Sequence, residues 1–272
     1  MGNDDRSFAA FEQAGWQARA ARYDDFTGPM TSQATGALLD AVDARPGVRL
    51  LDVASGTGAL AAAAAMRGAD VTGVDFAPAM VEQAAHRHPA LRFEVGDATA
   101  LRHAAGSFDA VTCAFGMLHF ADPDAAIGEA FRVLRAGGRY AFSVWADPAQ
   151  AKLFALVLDA IKAHGRLDVD LPPAPPLFRF SDAAESRRAL AAQGFADIVV
   201  HDIAITLRVT PSLLRTFVIE GTVRAAMLID AQTPAAREAI LGAIEADAEH
   251  YRVGEALHIP QLAMLACGRK PS

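Results

Sequence analysis

Cysteine is nearly absent: only Cys113 and Cys267 occur among 272 residues. That excludes a disulfide framework, and both lie in apolar runs, so buried free thiols in a reducing compartment are expected. A surplus of basic charge is also missing. The formal net charge is -7, and such a field does not gather a phosphate backbone, so nucleic acid is not the expected partner. No apolar run reaches membrane-spanning length; the one near Ala59–Met66 is far too short. Met1-Gly2-Asn3-Asp4-Asp5-Arg6 has neither the basic start nor the apolar core of a secretory signal. Arg6 stands where a myristoylation site needs Ser or Thr. His, Cys and carboxylates show no metal-ligand spacing, and Asp168-x-Asp170 reads as a solvated loop, so no metal is expected. Internal repeats are absent. A cytoplasmic protein without a membrane segment is the expectation, with 52% hydrophobic residues available for a core.

What is present centres on Leu50-Leu51-Asp52-Val53-Ala54-Ser55-Gly56-Thr57-Gly58-Ala59-Leu60. An apolar run from Val48 to Val53 meets a turn of small residues and then an alanine-rich helix, Ala59–Met66. This reads as a buried strand, a tight turn and a helix N-terminus, whose free N–H groups and partial positive charge face a ligand. About 20 residues further on, Val71–Val74 ends in Asp75, placed to accept from both ribose hydroxyls. Together they describe an adenosine-containing ligand at the C-terminal edge of a parallel sheet. Gly56-x-Gly58-x-x-Ala61 also fits the dinucleotide pattern, so this stretch alone leaves NAD and S-adenosylmethionine both open.

Along the chain, residues 8–45 read as two helices broken at Gly28-Pro29, the second being Ser32–Ala44 with Ser32 as its cap. Trp16, Tyr23 and Phe26 are placed to close over a ligand or to pack as ordinary core. Strands at 49–53, 70–75, 91–95, 108–115 and 139–144 alternate with helices at 58–67, 78–86 and 123–134. That spacing implies a parallel sheet with crossover helices. Beyond Trp145 come a helix at 149–164, a proline-rich connector within 168–178, and a helix capped by Ser181. A strand at 195–209, helices at 211–231 and 234–251, and a last strand at 262–269 follow. The segments 149–178 and 210–258 read as helical insertions covering the ligand edge of the sheet.

Gly96-Asp97-Ala98 ends the third strand and offers a carboxylate and an N–H to an adenine edge, or else forms a surface turn. With these residues in hand, segment 48–145 resembles the class I S-adenosylmethionine-dependent methyltransferases. It is most similar to the ubiquinone/menaquinone C-methyltransferase branch and to natural-product methyltransferases. The matching residues are Leu51–Gly58, Val74–Met80, Gly96-Asp97-Ala98, Phe108-Asp109-Ala110-Val111 and Glu129-x-x-Arg132-Val133-Leu134-Arg135-Ala136-Gly137-Gly138. The resemblance implies one domain over 1–272, a Rossmann-like α/β sheet of seven mostly parallel strands with the last antiparallel. Residues 1–45 would be an N-terminal helical cap and 48–145 the cofactor core. It also implies S-adenosyl-L-methionine as cofactor. Ala54, Ser55, Gly56 and Gly58 then border its methionine part, with Tyr23 nearby. Asp75 takes the ribose, Phe76 and Met80 the adenosine, and Gly96, Asp97 and Ala98 the adenine. Ala114 and Phe115 close the fourth-strand side. Ala54 departs from the glycine often found at its position.

Ala114-Phe115-Gly116-Met117-Leu118-His119-Phe120 lacks the Asn/Asp-Pro-Pro-aromatic turn that resembles a nucleobase-amine site. A small, partly apolar, quinone-like or secondary-metabolite acceptor is therefore expected. Trp16, Phe26, Met117, His119 and His258 are its candidate contacts. His119 is the candidate base, against the alternative of a histidine that only holds its loop. A nicotinamide oxidoreductase and a non-catalytic S-adenosylmethionine-binding protein are the competing functions. Monomer and homodimer both stay open.

Overall fold

A computed structural model describes residues 7–272; the reading of Met1–Arg6 lies outside the described residues. The strands are β1 (Arg49–Val53), β2 (Asp70–Asp75), β3 (Arg92–Val95), β4 (Phe108–Ala114), β5 (Leu134–Trp145), β6 (Ala196–Val209), β7 (Arg252–Val253) and β8 (Ala256–Arg269). The helices are α1 (Phe8–Arg19), α2 (Tyr23–Thr31), α3 (Thr35–Ala41), α4 (Ala59–Met66), α5 (Pro78–Arg87) and α6 (Pro123–Val133). They continue with α7 (Lys152–His164), α8 (Ala183–Ala192), α9 (Pro211–Glu220), α10 (Arg224–Asp230) and α11 (Pro234–Ala248).

The sheet order is β3-β2-β1-β4-β5-β8-β6, with the two-residue β7 attached to β8. The first five strands run parallel. β8 runs antiparallel to both β5 and β6, so the last strand in the chain is the reversed one, inserted between its neighbours. This is the Rossmann-like α/β sheet expected, with one short extra strand. The chain reverses direction in strand order between β1 and β4, and ligands of such sheets bind at that crevice. One apolar layer packs α3, α4, α7, α9 and α11 on one side, and the other packs α6 and α8 on the opposite side.

Several element boundaries differ from the sequence reading, each for a local reason. Gly28-Pro29 does not end a helix: Pro29 lies inside α2. Burial of Phe26, Thr27, Met30 and Thr31 holds the turn together despite the lost proline N–H. A tight 3-10 turn, Ser32–Ala34, follows, and Ser32 opens that turn rather than capping a long helix. Asp182 caps α8 by accepting from Ala184 N, while the Ser181 hydroxyl donates to the Phe178 carbonyl. The helix expected at 211–231 is broken at Gly221–Val223 into α9 and α10. Side chains from the N-terminal helices accept the role of cap there: Arg19 donates to the Ile219 carbonyl and Thr27 to that of Gly221. β8 is longer than expected because the five residues before Leu262 continue the pairing with β6 and Ala256 pairs with β7. Cys113 is buried and Cys267 half-buried; both are free thiols.

Candidate active site

β1 ends at Val53, and the next residues must turn sharply toward the N-terminus of α4. Ala54, Gly56 and Gly58 all take positive φ, at 56°, 53° and 87°. Small side chains make that cheap and leave the backbone open to a ligand. Asp75, at the end of β2, is buried. Its Oδ2 accepts from Gly56 N at 2.9 Å and its Oδ1 from Ala77 N at 2.9 Å. Burial raises its pKa, and these two N–H groups work against the shift. Each oxygen keeps lone-pair capacity for a further donor.

Beside this turn opens a cavity with an empty volume of about 910 Å³, part of it open to solvent. Ala54, Gly56, Asp75, Phe76, Met80, Ala114 and Phe115 form its wall at the strand ends. Trp16, Tyr23, Thr27, Met30 and Thr31 come from α1 and α2. Leu153, Phe154 and Leu177 belong to the first insertion, and Gly221–Ala225 to the break between α9 and α10. Leu118, His119, Phe120 and Trp145 complete it. Phe115 stacks on Trp145 with centroids 4.1 Å apart, and Trp145 meets Phe154 at 5.8 Å. The wall is largely apolar and aromatic, as ligand pockets are.

A smaller hollow adjoins it, lined by Tyr23, Asp52, Ala54, Ser55, Gly56, Thr57 and the start of α4. Asp52 is buried in the middle of the sheet. Its Oδ1 accepts from Thr112 Oγ1 at 2.9 Å, while Oδ2 and Ser55 Oγ have no partner. Burial, with Asp75 nearby, pushes the Asp52 carboxyl up to about 7. A buried carboxylate with one oxygen unpartnered beside a hollow is suited to an ammonium group. Tyr23, also bordering the hollow, is half-buried, and desolvation pushes its phenol up to about 12, so it stays protonated.

His119 sits in a 3-10 turn after β4. Its Nδ1 lies 2.7 Å from Oε2 of Glu12 on α1, and Trp16 meets its ring edge-on at 5.0 Å. Glu12 is wholly enclosed, and its Oε1 accepts from Arg224 Nε at 3.1 Å. Neither Glu12 nor Arg224 was singled out by the sequence. The available signal for Glu12 is its spacing: it stands four residues from both Phe8 and Trp16, a lone acid on an apolar face. Arg224 has no comparable signal. Asp52 shows as a charge inside a buried strand.

The sequence candidates fall into two groups. Trp16, Tyr23, Ala54, Gly56, Asp75, Phe76, Met80, Ala114, Phe115 and His119 meet around the cavity, with Ser55 at the adjoining hollow. Gly58, Gly96, Asp97, Ala98, Phe26, Met117 and His258 do not border either space. Asp97 is exposed and its Oδ1 accepts from both N and Oγ1 of Thr99. Ala98 is buried in the core. Phe26 packs edge-on against Phe217, and Met117 accepts a hydrogen bond from Tyr140 in the opposite layer. His258 stands opposite Arg208 on β6, and its neighbours there are strand residues. Among the described residues no group of His, Cys, Asp and Glu can hold a metal ion, and no helix is long and apolar enough to cross a membrane.

The sheet order, the glycine turn and the strand-end acid facing a cavity define an α/β protein of the nucleotide-cofactor-binding class. Comparison narrows the class. Residues 51–142 match the methyltransferase domain family. A demethylmenaquinone methyltransferase of Beutenbergia cavernae is 46% identical over 120 residues, 44% of this chain and 50% of that protein. One of Paenarthrobacter aurescens is 30% identical over 176 residues, 61% of this chain and 70% of that protein. The YcgJ protein of Bacillus subtilis superposes with a TM-score of 0.57 at 21% identity, over 88% of this chain and 98% of its own. A phosphoethanolamine N-methyltransferase of Haemonchus contortus, crystallised with S-adenosyl-L-methionine, gives 0.60 at 17% identity, over 100% of this chain and 62% of its own. The chain belongs to the S-adenosylmethionine-dependent methyltransferases, in their quinone C-methyltransferase-like branch. It spans about half the length of the first curated relatives it matches.

Proposed function

We propose that this chain transfers the methyl group of S-adenosylmethionine to a small, partly apolar, quinone-like acceptor. The observation that carries the reading is the junction of two surfaces: the Ala54–Gly58 turn with Asp75 opens directly into an aromatic cavity holding His119. The residues fit the cofactor. Asp52 Oδ2 and Ser55 Oγ are unpartnered polar atoms at the hollow where an amino-acid end would lie. Asp75 takes the ribose hydroxyls, and Phe76 and Met80 flank the adenosine. When bound, the sulfonium supplies an electrophilic methyl group and a neutral thioether leaving group.

The protein's own contribution is alignment and removal of water. Holding acceptor and donor in line supplies much of the rate of a displacement. Trp16, Phe115, Trp145 and Phe154 present flat apolar surface to an acceptor ring. His119 takes the acceptor's proton at the nitrogen that does not face Glu12. A monomer or homodimer acting on a small molecule is consistent with the acidic chain, and the two insertions set acceptor choice from their cavity faces.

The test is calorimetric titration with S-adenosylhomocysteine and with NADH, followed by label transfer from S-adenosylmethionine onto a naphthohydroquinone. The expected result is binding of the thioether nucleotide, none of NADH, and a methylated naphthol product. NADH binding without heat from S-adenosylhomocysteine would overturn the assignment. Asp75→Ala is expected to weaken nucleotide binding by more than about fivefold, the loss of at least one buried hydrogen bond of roughly 1 kcal/mol.

A further inference from the structure

The proposed chemistry uses His119 and leaves two charged groups beside it without a task. Glu12 is fully enclosed, and its two oxygens are divided between two partners. Oε2 faces Nδ1 of His119 at 2.7 Å and Oε1 accepts from Nε of Arg224 at 3.1 Å. Arg224 also lies over the Phe8 ring, its guanidinium carbon 4.5 Å from the centroid. It forms part of the cavity wall, and among the described residues its two Nη groups donate to no protein acceptor. A guanidinium with both Nη groups unspent in an apolar cavity calls for an anionic oxygen.

We infer that Glu12, His119 and Arg224 form a subsite for an acidic hydroxyl carried on an aromatic acceptor. Its catalytic residues are His119 and Arg224, and Glu12 is the positioning residue for both. This rests on the methyltransferase reading and deepens it. A carboxylate can only accept, so Glu12 fixes the hydrogen of neutral His119 on Nδ1 and leaves Nε2 as the basic nitrogen. In the step assigned here the acceptor's O–H bond breaks, its proton forms an N–H bond at Nε2, and the electron pair stays on the oxygen. Arg224 then holds that oxyanion. Charge balances: before the step Glu12 neutralises Arg224, and afterwards the imidazolium neutralises the oxyanion. Neither state leaves an unpaired charge in a cavity of low polarity. The clamp also ties three distant parts of the chain together, since α1, the turn after β4 and the start of α10 each supply one member.

Glu12→Gln separates this assignment from simple packing. An amide has one acceptor and one donor face, so it cannot accept from both Arg224 and His119. Placed to accept from Arg224, it presents its NH₂ to Nδ1 and forces the hydrogen onto Nε2. The 15N spectrum of the His119 ring is therefore expected to show the Nδ1–H tautomer in the wild type and its loss in Glu12→Gln. Turnover should fall by about 10²-fold with KM changed little, the scale of general-base catalysis.

The second readout needs no turnover. The probe is 4-nitrophenol, whose neutral and ionised forms absorb differently, titrated into protein saturated with S-adenosylhomocysteine. Wild type is expected to bind it as the phenolate at a pH where the free probe is neutral. Arg224→Gln should lose that band and at least about tenfold in affinity, as for a lost bond to a charged group. Probe bound as the neutral phenol, or a phenolate band unchanged in Arg224→Gln, would overturn the subsite. If Arg224→Gln does not fold, Arg224→Lys decides: affinity lowered at least threefold supports the two-donor contact, and unchanged affinity overturns it. Absence of S-adenosylhomocysteine binding in wild type sinks the methyltransferase reading instead, and the probe titration without nucleotide still decides the subsite.

Discussion

Ala54 is a non-glycine residue in the left-handed region, at φ 56°, and its methyl group has a consequence at the end of the neighbouring strand, β4. A Cβ placed on Gly116 would lie 2.6 Å from Ala54 Cβ and 2.7 Å from Cys113 Sγ. Ala54 therefore requires glycine at 116. Gly116→Ala is expected to destabilise the protein by about 1–3 kcal/mol through overpacking. Ala54→Gly alone trades about 1–2 kcal/mol of left-handed strain against roughly 0.5–1 kcal/mol of added chain entropy, so it should be neutral to mildly stabilising. The double variant should be less destabilised than the sum by about 1 kcal/mol, because one of the two clashes is gone. Urea unfolding of the four proteins measures this coupling, and strictly additive changes would mean that the two residues do not touch.

At the scale of elements, the cavity has two sides with separate origins. The side proposed for the cofactor is built from strand ends and the turn before α4. The opposite side comes from α1, α2, α7, the connector near Leu177 and the break between α9 and α10. That break is tied down by the N-terminal helices, and α1 packs so closely against it that a Cβ on Gly15 would lie 2.6 Å from Val223 Cγ1. α1 reaches the cofactor side as well: Gln13 donates to the Phe76 carbonyl, and Gln17 accepts from Ala79 N. The α1 helix thus spans both sides, whereas α7 touches only the acceptor side. Phe154, on α7, packs against Trp145 and Phe178. Phe154→Ala is expected to raise the acceptor KM by about tenfold, the loss of roughly 1–2 kcal/mol of aromatic contact, with S-adenosylhomocysteine affinity within about twofold. Calorimetry and steady-state kinetics on one preparation test both halves, and a matching loss of nucleotide affinity would show that the two sides are not separable.

Across the whole molecule, the sheet and the strand-end wall of the cavity were legible because their signals are local. Val48–Gly58 carries strand and turn, and Val71–Asp75 strand and acid, each within a few residues. The acceptor end was not, because its polar members meet only in three dimensions: Glu12 and Arg224 are 212 residues apart, and the break that places Arg224 depends on caps from Arg19 and Thr27. Asp52 joins the two scales, since its buried carboxylate, together with that of Asp75, makes the stability of the whole fold respond to pH. Its folded pKa of about 7 stands above the ordinary aspartate value of 3.8. A raised acid favours the folded state fully below the unfolded pKa, and that stability is lost as pH rises through the folded value. Asp109, Glu129 and Glu185 act oppositely, because arginine partners lower their pKa and their contribution disappears as pH falls. The ligand-free protein should therefore be most stable on the mildly acidic side. Between about pH 5.5 and about pH 8 the Asp52 contribution amounts to a loss of roughly 2 kcal/mol, or about 4–8 °C in Tm for a chain of this size. An ammonium group seated at Oδ2 removes the cause, so saturating S-adenosylmethionine should flatten this decline and bind more tightly at the higher pH. Asp52→Asn should make it shallower without ligand, leaving the share of Asp75, and bind the nucleotide weakly. Thermal unfolding of both proteins at the two pH values, with and without nucleotide, measures all four quantities. A ligand-free decline equally steep in Asp52→Asn would place the titrating group elsewhere and remove the cation from this hollow.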